Sequence, residues 1–353
     1  MTRGKLLTPR GTINGALQVS NGRIAAIRAL APRGARAVDA RGCYVAPGFI
    51  DLHVWGEPDV LARELVQSGT TAFLTTLGPE PAQRLARDVA ARAARLPMNG
   101  AQCLGVHLEG PFLNPARGGA LPKRWMRAPS VRELERLWRA SGERVRLITL
   151  APEWSGARAA IRWCRRHRVV VSLGHSDADA TTATRAVEAG AHAVTHVFNG
   201  MRPFHHRQPS LLDVALTDPR LTAMAILDSV HLGPSAFRLL VKAKGVERVA
   251  LVTDSIRRAG WDVVKQHGAW YRRDGTLAGS SLTMITAVRN AVELGGVSLI
   301  DAVRMASEVP ARLLGDRLRG AIAVGRRADL VVFDRRFRIR LTLIGGRLVY
   351  QRR

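Results

Sequence analysis

Between residues 49 and 253 the chain repeats one pattern: a short apolar run, a polar break, then a segment of helical composition. The apolar runs lie at 49–54, 71–76, 103–108, 145–150, 169–173, 193–197, 222–227 and 248–253, and helical segments between them include 60–67, 81–94, 131–139 and 177–189. Eight such runs alternating with helices, within the roughly 270 residues between the two chain ends, match a closed (β/α)8 barrel of TIM type in count and length. An open doubly wound sheet is the alternative, but no Gly-x-Gly-x-x-Gly turn follows any of the runs.

The two chain ends have a different texture. Residues 12–13, 16–19 and 23–27 read as short strands broken at Asn14-Gly15 and Asn21-Gly22, and Asn-Gly between apolar residues is a hairpin signal. The last thirty residues carry two further strand-like runs, 330–334 and 341–344, followed by Gly345-Gly346. Termini often lie close together, so both ends can pair into one small sheet domain beside the barrel.

Composition excludes several classes. With 46% hydrophobic and 23% charged residues the chain is too apolar for disorder. Cys43, Cys103 and Cys164 are odd in number and far apart, which rules out a disulfide scaffold and a Cys-x-x-Cys zinc module and fits a reducing compartment. No run approaches the ~18 apolar residues of a membrane span, and Met1 to Lys5 lack a signal-peptide apolar region. The expectation is a soluble, cytoplasmic protein with no membrane partner. The net charge of +26 invites a nucleic-acid reading. However, only five of the 54 basic residues are lysine, the arginines are scattered, and no nucleic-acid motif is present. The expectation is an arginine-biased solvated surface, no nucleic-acid partner, and room for an anionic small substrate.

The informative polar residues fall where the apolar runs end: His53, Glu109, His175, His196, Asp228 and Asp254. In a (β/α)8 barrel these positions face the C-terminal mouth, where active sites assemble. One histidine there is more often structural than a ligand. Four ligand-type residues on four strands, Glu109, His175, His196 and Asp254, point instead to a metal site. Two imidazoles and a carboxylate leave an open position on a divalent ion, and a further carboxylate beside it can act as general base.

These residues sit in segments that resemble the N-acetylglucosamine-6-phosphate deacetylase family of the amidohydrolase superfamily, over nearly the whole chain. The segments are Ala-Pro-Gly-Phe-Ile-Asp-Leu-His at 46–53, His-Leu-Glu-Gly-Pro-Phe at 107–112, Leu-Gly-His-Ser at 173–176 and Thr-His-Val-Phe-Asn-Gly-Met at 195–201. Asp-Ser-Val-His at 228–231, Val-Thr-Asp at 252–254, Leu-Ala-Gly-Ser at 277–280 and Gly-Arg-Arg-Ala-Asp-Leu-Val-Val at 325–332 continue the series. The resemblance implies a barrel over 48–319 beside a small β-sandwich built from 1–47 and 320–353. It implies one divalent metal on Glu109, His175 and His196, zinc first, with iron or another divalent ion as alternatives. Asp254 matches the catalytic aspartate, Asn199 and Gly200 the sugar or phosphate positions, and Arg207 and His231 the phosphate contacts. In relatives those contacts can come from the partner of a homodimer, so a homodimer is expected. The implied reaction is deacetylation of N-acetylglucosamine 6-phosphate. A different N-acyl amine, or binding without turnover, are the alternatives.

Two departures stand out. Many relatives carry His-x-His after the first strand, which supplies a second metal; here the second position is Trp55, which cannot ligate, so one metal is expected. Relatives also place a histidine that polarises the acetamide where this chain has Leu121, after Gly119-Ala120. Either His107, His205 or His206 substitutes, or the metal acts unaided, or the substrate differs. Smaller changes are Ser210 in place of glycine, and Glu308-Val309-Pro310-Ala311 where Asn-Pro-Ala is common.

Overall fold

The computed structural model describes residues 1–30, 37–95, 99–257 and 262–352. Eight strands form the barrel: β1 Phe49–Trp55, β2 Thr70–Leu77, β3 Gln102–Glu109, β4 Val145–Leu150, β5 Val170–Leu173, β6 Ala193–Val194, β7 Thr222–Ala225 and β8 Val249–Leu251. Each pairs in parallel with the next. Every residue of β1 and β2 is buried, as in parallel strands covered on both faces, and this includes the polar Asp51 and His53 of β1. The chain leaving β8 closes the ring: the Asp254 N–H donates to His53 O at 2.8 Å, and Ser255 and Ile256 pair in parallel with Val54 and Trp55 of β1.

Helices on the outside complete the layers. The helix Ala157–Arg166 shows the division of labour: it buries Ala157, Ala160, Ile161 and Cys164 at helical spacing and turns Arg158, Arg162, Arg165 and Arg166 to solvent. Much of the arginine excess is accommodated on such outward faces. Ser210, the small departure noted above, caps the helix Leu211–Thr217: its Oγ accepts from Leu212 N, and its own N–H donates to Asp213 Oδ2 at 2.7 Å.

The chain ends meet as expected in one seven-stranded sheet. Its spatial order is Arg347–Gln351, Ile339–Ile344, Leu330–Phe333, Tyr44–Pro47, Gly4–Thr8, Gly11–Ser20, Arg23–Arg28. Leu17 and Ile24 near one edge share a core with Leu341 and Leu343 near the other, so the sheet folds over its own apolar side. One turn expectation is corrected. Asn21-Gly22 is a turn, but Asn14-Gly15 lies inside the strand Gly11–Ser20, paired with Lys5 and Gly4, and the first turn falls at Pro9-Arg10. A side chain at Gly15 would meet Arg28 O at 2.5 Å, so this glycine answers a close strand approach rather than a turn.

A hairpin the sequence reading did not foresee follows β8. Its strands Val263–Gln266, Ala269–Arg272 and Leu277–Ser280 run antiparallel and rejoin the barrel sheet where Ser280 pairs with Ser255.

Candidate active site

The barrel delivers each polar residue from a different strand. Glu109 ends β3, His175 and His196 follow β5 and β6, and Asp254 follows β8. His175, His196 and Asp254 adopt positive φ of 47°, 27° and 50°. Non-glycine residues pay for that conformation, and it occurs most often where a side chain must be re-aimed at a functional site. Here it bends the chain at the strand ends, and all four side chains line one cavity of about 270 Å³.

Glu109 Oε1 lies 3.0 Å from His175 Nε2 and 2.9 Å from His196 Nε2, and the two nitrogens are 3.2 Å apart. Behind the rings, His175 Nδ1 meets Arg117 O at 2.8 Å and His196 Nδ1 meets Asn199 O at 3.2 Å. With each Nδ1–H donating to a carbonyl, both Nε2 lone pairs face inward toward the carboxylate. Burial works against charge on Glu109, but His53, His175 and His196 outweigh it and hold the carboxyl well below its usual range. Three buried acceptors pressed together are satisfied by a divalent cation, and the set of one carboxylate and two imidazoles suits one. Gly200 makes room for this arrangement: a Cβ there would lie 2.9 Å from His175 Nδ1, and its φ is 61°.

The opposite wall belongs to Asp254. Its Oδ1 accepts from the Trp55 indole N–H at 2.8 Å and lies 3.3 Å from His53 Nε2, which is also 3.2 Å from Glu109 Oε2. Burial opposes a proton on His53, yet the two carboxylates raise it to about 9. Beneath them Asp51 braces β1 to the end of β8, accepting from Thr253 Oγ1 at 2.6 Å. Trp55 and Leu121 join Leu113, Met126 and Ile256 in one apolar cluster, so this wall is greasy where the wall of Glu109, His175 and His196 is polar.

Asn199, Gly200 and His231 line the same cavity. Asp228 Oδ2 lies 2.7 Å from His231 Nδ1, and Asn199 Nδ2 donates to His231 O at 3.2 Å, which joins the two. Arg207 is not brought there: it is exposed on the loop 202–209. None of the possible substitutes for the missing histidine lines the cavity. His107 points into the barrel onto Thr149 Oγ1 at 2.8 Å, and His205 and His206 stack on the loop of Arg207. Sequence reasoning missed the contact from Trp55 to Asp254 and the lining by Thr276 and Leu277 of the hairpin. Leu-Ala-Gly-Ser at 277–280 was the available signal for the latter.

Comparison with known proteins agrees with this geometry. The profile of the amidohydrolase family matches residues 44–349. The N-acetylgalactosamine-6-phosphate deacetylase of Escherichia coli O157:H7 is 36% identical, over 98% of this chain and 97% of the relative. The N-acetylglucosamine-6-phosphate deacetylase of Bacillus subtilis (strain 168) is 34% identical, over 96% and 93%. A solved structure of a mutant N-acetyl-D-glucosamine-6-phosphate deacetylase from Mycobacterium smegmatis, in complex with N-acetyl-D-glucosamine-6-phosphate, superposes with a TM-score of 0.89 at 32% identity, covering 98% of each chain. The match over most of the chain, together with a buried carboxylate–imidazole cluster at the mouth of a closed barrel, places this protein in the N-acetylglucosamine-6-phosphate deacetylase family of the amidohydrolases.

Proposed function

We propose that this chain hydrolyses the acetamide of N-acetylglucosamine 6-phosphate, giving acetate and glucosamine 6-phosphate. The observation that carries the reading is the shared cavity, with Glu109, His175 and His196 on one wall and Asp254 on the other. We assign one divalent ion, zinc first, to Glu109, His175 and His196. When bound, it supplies Lewis-acid polarisation of water and carbonyl. His53 is already engaged with both carboxylates and Trp55 cannot ligate, which supports one ion rather than two.

The protein's own groups do the rest. Asp254 Oδ1 is occupied by Trp55 and His53, and among the described residues Oδ2 has no hydrogen-bond partner. Oδ2 therefore takes the proton from the attacking water and returns it to the leaving amine, so one carboxylate serves as base and then as acid. Asp228 fixes the His231 ring by its Nδ1, which leaves Nε2 for the sugar, beside Asn199 and Gly200. That anchoring turns remote binding into alignment of the amide.

Arg207 is assigned to the phosphate, for which its planar fork suits bidentate contact. Because it lies outside this chain's own cavity, the assignment requires a homodimer in which Arg207 serves a neighbouring site. We place the protein in the cytoplasm, in keeping with its three free cysteines; among the described residues no helix is long and apolar enough to cross a membrane. We divide the chain at 47/48 and 319/320 into barrel and terminal sheet.

A second reading, the galacto epimer of the same phosphate ester, is favoured by the 36% identity to the Escherichia coli enzyme. The test is wild-type turnover on both phosphorylated epimers and on the free N-acetyl sugars, with metal analysis. The expected result is one ion per chain and a clear preference for the gluco phosphate. Absence of turnover on any phosphorylated N-acetyl sugar by metal-loaded protein overturns the reading.

A further inference from the structure

We propose that Trp55 is a positioning residue that holds Asp254 through its indole N–H, and that Gly78 and Leu121 form the slot that holds the indole. The inference rests on the role given to Asp254 above.

The indole N–H can only donate, and a buried one takes an acceptor. Here that acceptor is a carboxylate oxygen, Asp254 Oδ1 at 2.8 Å, with both side chains buried. A hydrogen bond to an ionised group is about twice as strong as one between neutral groups. Asp254 follows a short strand with φ at 50°, so contacts from other elements must fix its side chain. With Oδ1 held by Trp55 and approached by His53 Nε2 at 3.3 Å, rotation of the carboxyl is restricted.

The indole in turn has a built seat. At Gly78 a Cβ would lie 3.1 Å from Trp55 Cη2 and 3.4 Å from Leu121 Cδ2, and no positive φ requires glycine at that position. The glycine is there for room. Leu121 closes the other side, with Ile256, Met126 and Leu113 around it. Trp55 and Leu121, which look like two unrelated departures in sequence, are therefore one packed unit: the donor to Asp254 and the residue that wedges it.

The test replaces Trp55 alone by its isosteric sulfur analogue benzothienylalanine, which keeps the ring and removes the N–H. The expected result is a fall in kcat of about tenfold or more, with KM and metal content within twofold of wild type. A folded, metal-loaded variant with wild-type kcat overturns the proposal, because a purely structural ring would be unaffected. A second readout needs no activity. The Trp55 indole 1H–15N signal, identified by its loss in Trp55→Phe, is expected to shift in Asp254→Asn and in Gly78→Ala. A signal unmoved by Asp254→Asn also overturns the proposal. If wild type turns over no N-acetyl sugar phosphate, the functional reading falls while this signal still decides whether the contact exists.

Discussion

On one side of the barrel mouth, Glu109, His175 and His196 bring three acceptor atoms together, and each imidazole is fixed from behind by a backbone carbonyl. On the other side, the Asp254 carboxylate is held by side chains alone, the Trp55 indole and the His53 imidazole, beside an apolar cluster that includes Leu121. The first wall is set by where the chain runs, so it changes little with the identity of its neighbours. The second is set by which side chains surround the aspartate, so substitutions there can alter catalysis while leaving the ligand cluster intact. Both departures from the family pattern, Trp55 and Leu121, fall on that second wall.

The largest expected effect lies on the ligand wall. Glu109→Gln keeps the shape but removes the one anion among the three clustered residues and one of the two carboxylates that flank His53. Bound metal should fall to a small fraction of an equivalent, and kcat/KM by about 10³-fold or more, since the Lewis acid is lost with it. Elemental analysis and kinetics read both numbers; a full equivalent of metal in this variant breaks the division between the walls. Asp254→Asn comes next. On the second wall the metal should stay while kcat falls by about 10²-fold or more, because the amide cannot take the proton. Metal loss here would make Asp254 a ligand and merge the two walls into one.

Arg207→Ala probes what neither wall of a single chain supplies. A charge-assisted phosphate contact is worth ~1.5–3 kcal/mol, so kcat/KM on the phosphate ester should drop by about 10- to 100-fold. Turnover of the unphosphorylated sugar should be unchanged. Equal losses on both substrates would make Arg207 a structural residue of its loop.

The wall of Glu109, His175 and His196 was legible in the sequence because the barrel strands read as largely apolar runs, and the polar residues on which those runs end lie at the mouth. The observed β1 to β8 fall on the eight expected runs for that reason. The second wall was much less legible. Trp55 read only as a missing ligand, since nothing in the local pattern indicates that its N–H reaches a residue 199 positions away. The hairpin after β8 escaped notice because its strand Val263–Gln266 is largely exposed and lacks an apolar run. Asn14-Gly15 misled because local turn preference is the same whether a glycine serves a turn or a close strand approach; only the neighbouring Arg28 carbonyl distinguishes them. Arg207 could be singled out by its spacing from His196, but its distance from the cavity is a property of the folded loop.

The smallest expected effect, and the sharpest probe of the second wall, is Leu121→His. Restoring the imidazole that relatives carry would raise the rate if this wall had merely lost a donor, since one well-placed oxyanion donor is worth about 2.7–4 kcal/mol. The packing argues for the opposite outcome. Leu121 is only 6% exposed, touches the space that Gly78 leaves open beside the indole, and has apolar neighbours. Its backbone is held nearby, with Arg272 Nη1 donating to Ala120 O at 2.9 Å, so the new ring has to fit between the indole and the cavity that Leu121 lines. An imidazole there sets polar nitrogens among Leu113, Met126 and Ile256, at a cost of ~1–3 kcal/mol for a nitrogen that finds no partner, and presses on Trp55. We therefore expect kcat on N-acetylglucosamine 6-phosphate to fall about three- to tenfold, with a lower melting temperature and unchanged metal content. In a Trp55→Phe background the same substitution should cost less, because the contact it disturbs is already gone; residues in contact couple in this way. A rate increase in the single variant would show that Leu121 is a lost donor and not a wedge, and that the wall around Asp254 tolerates a polar group as readily as the wall around Glu109.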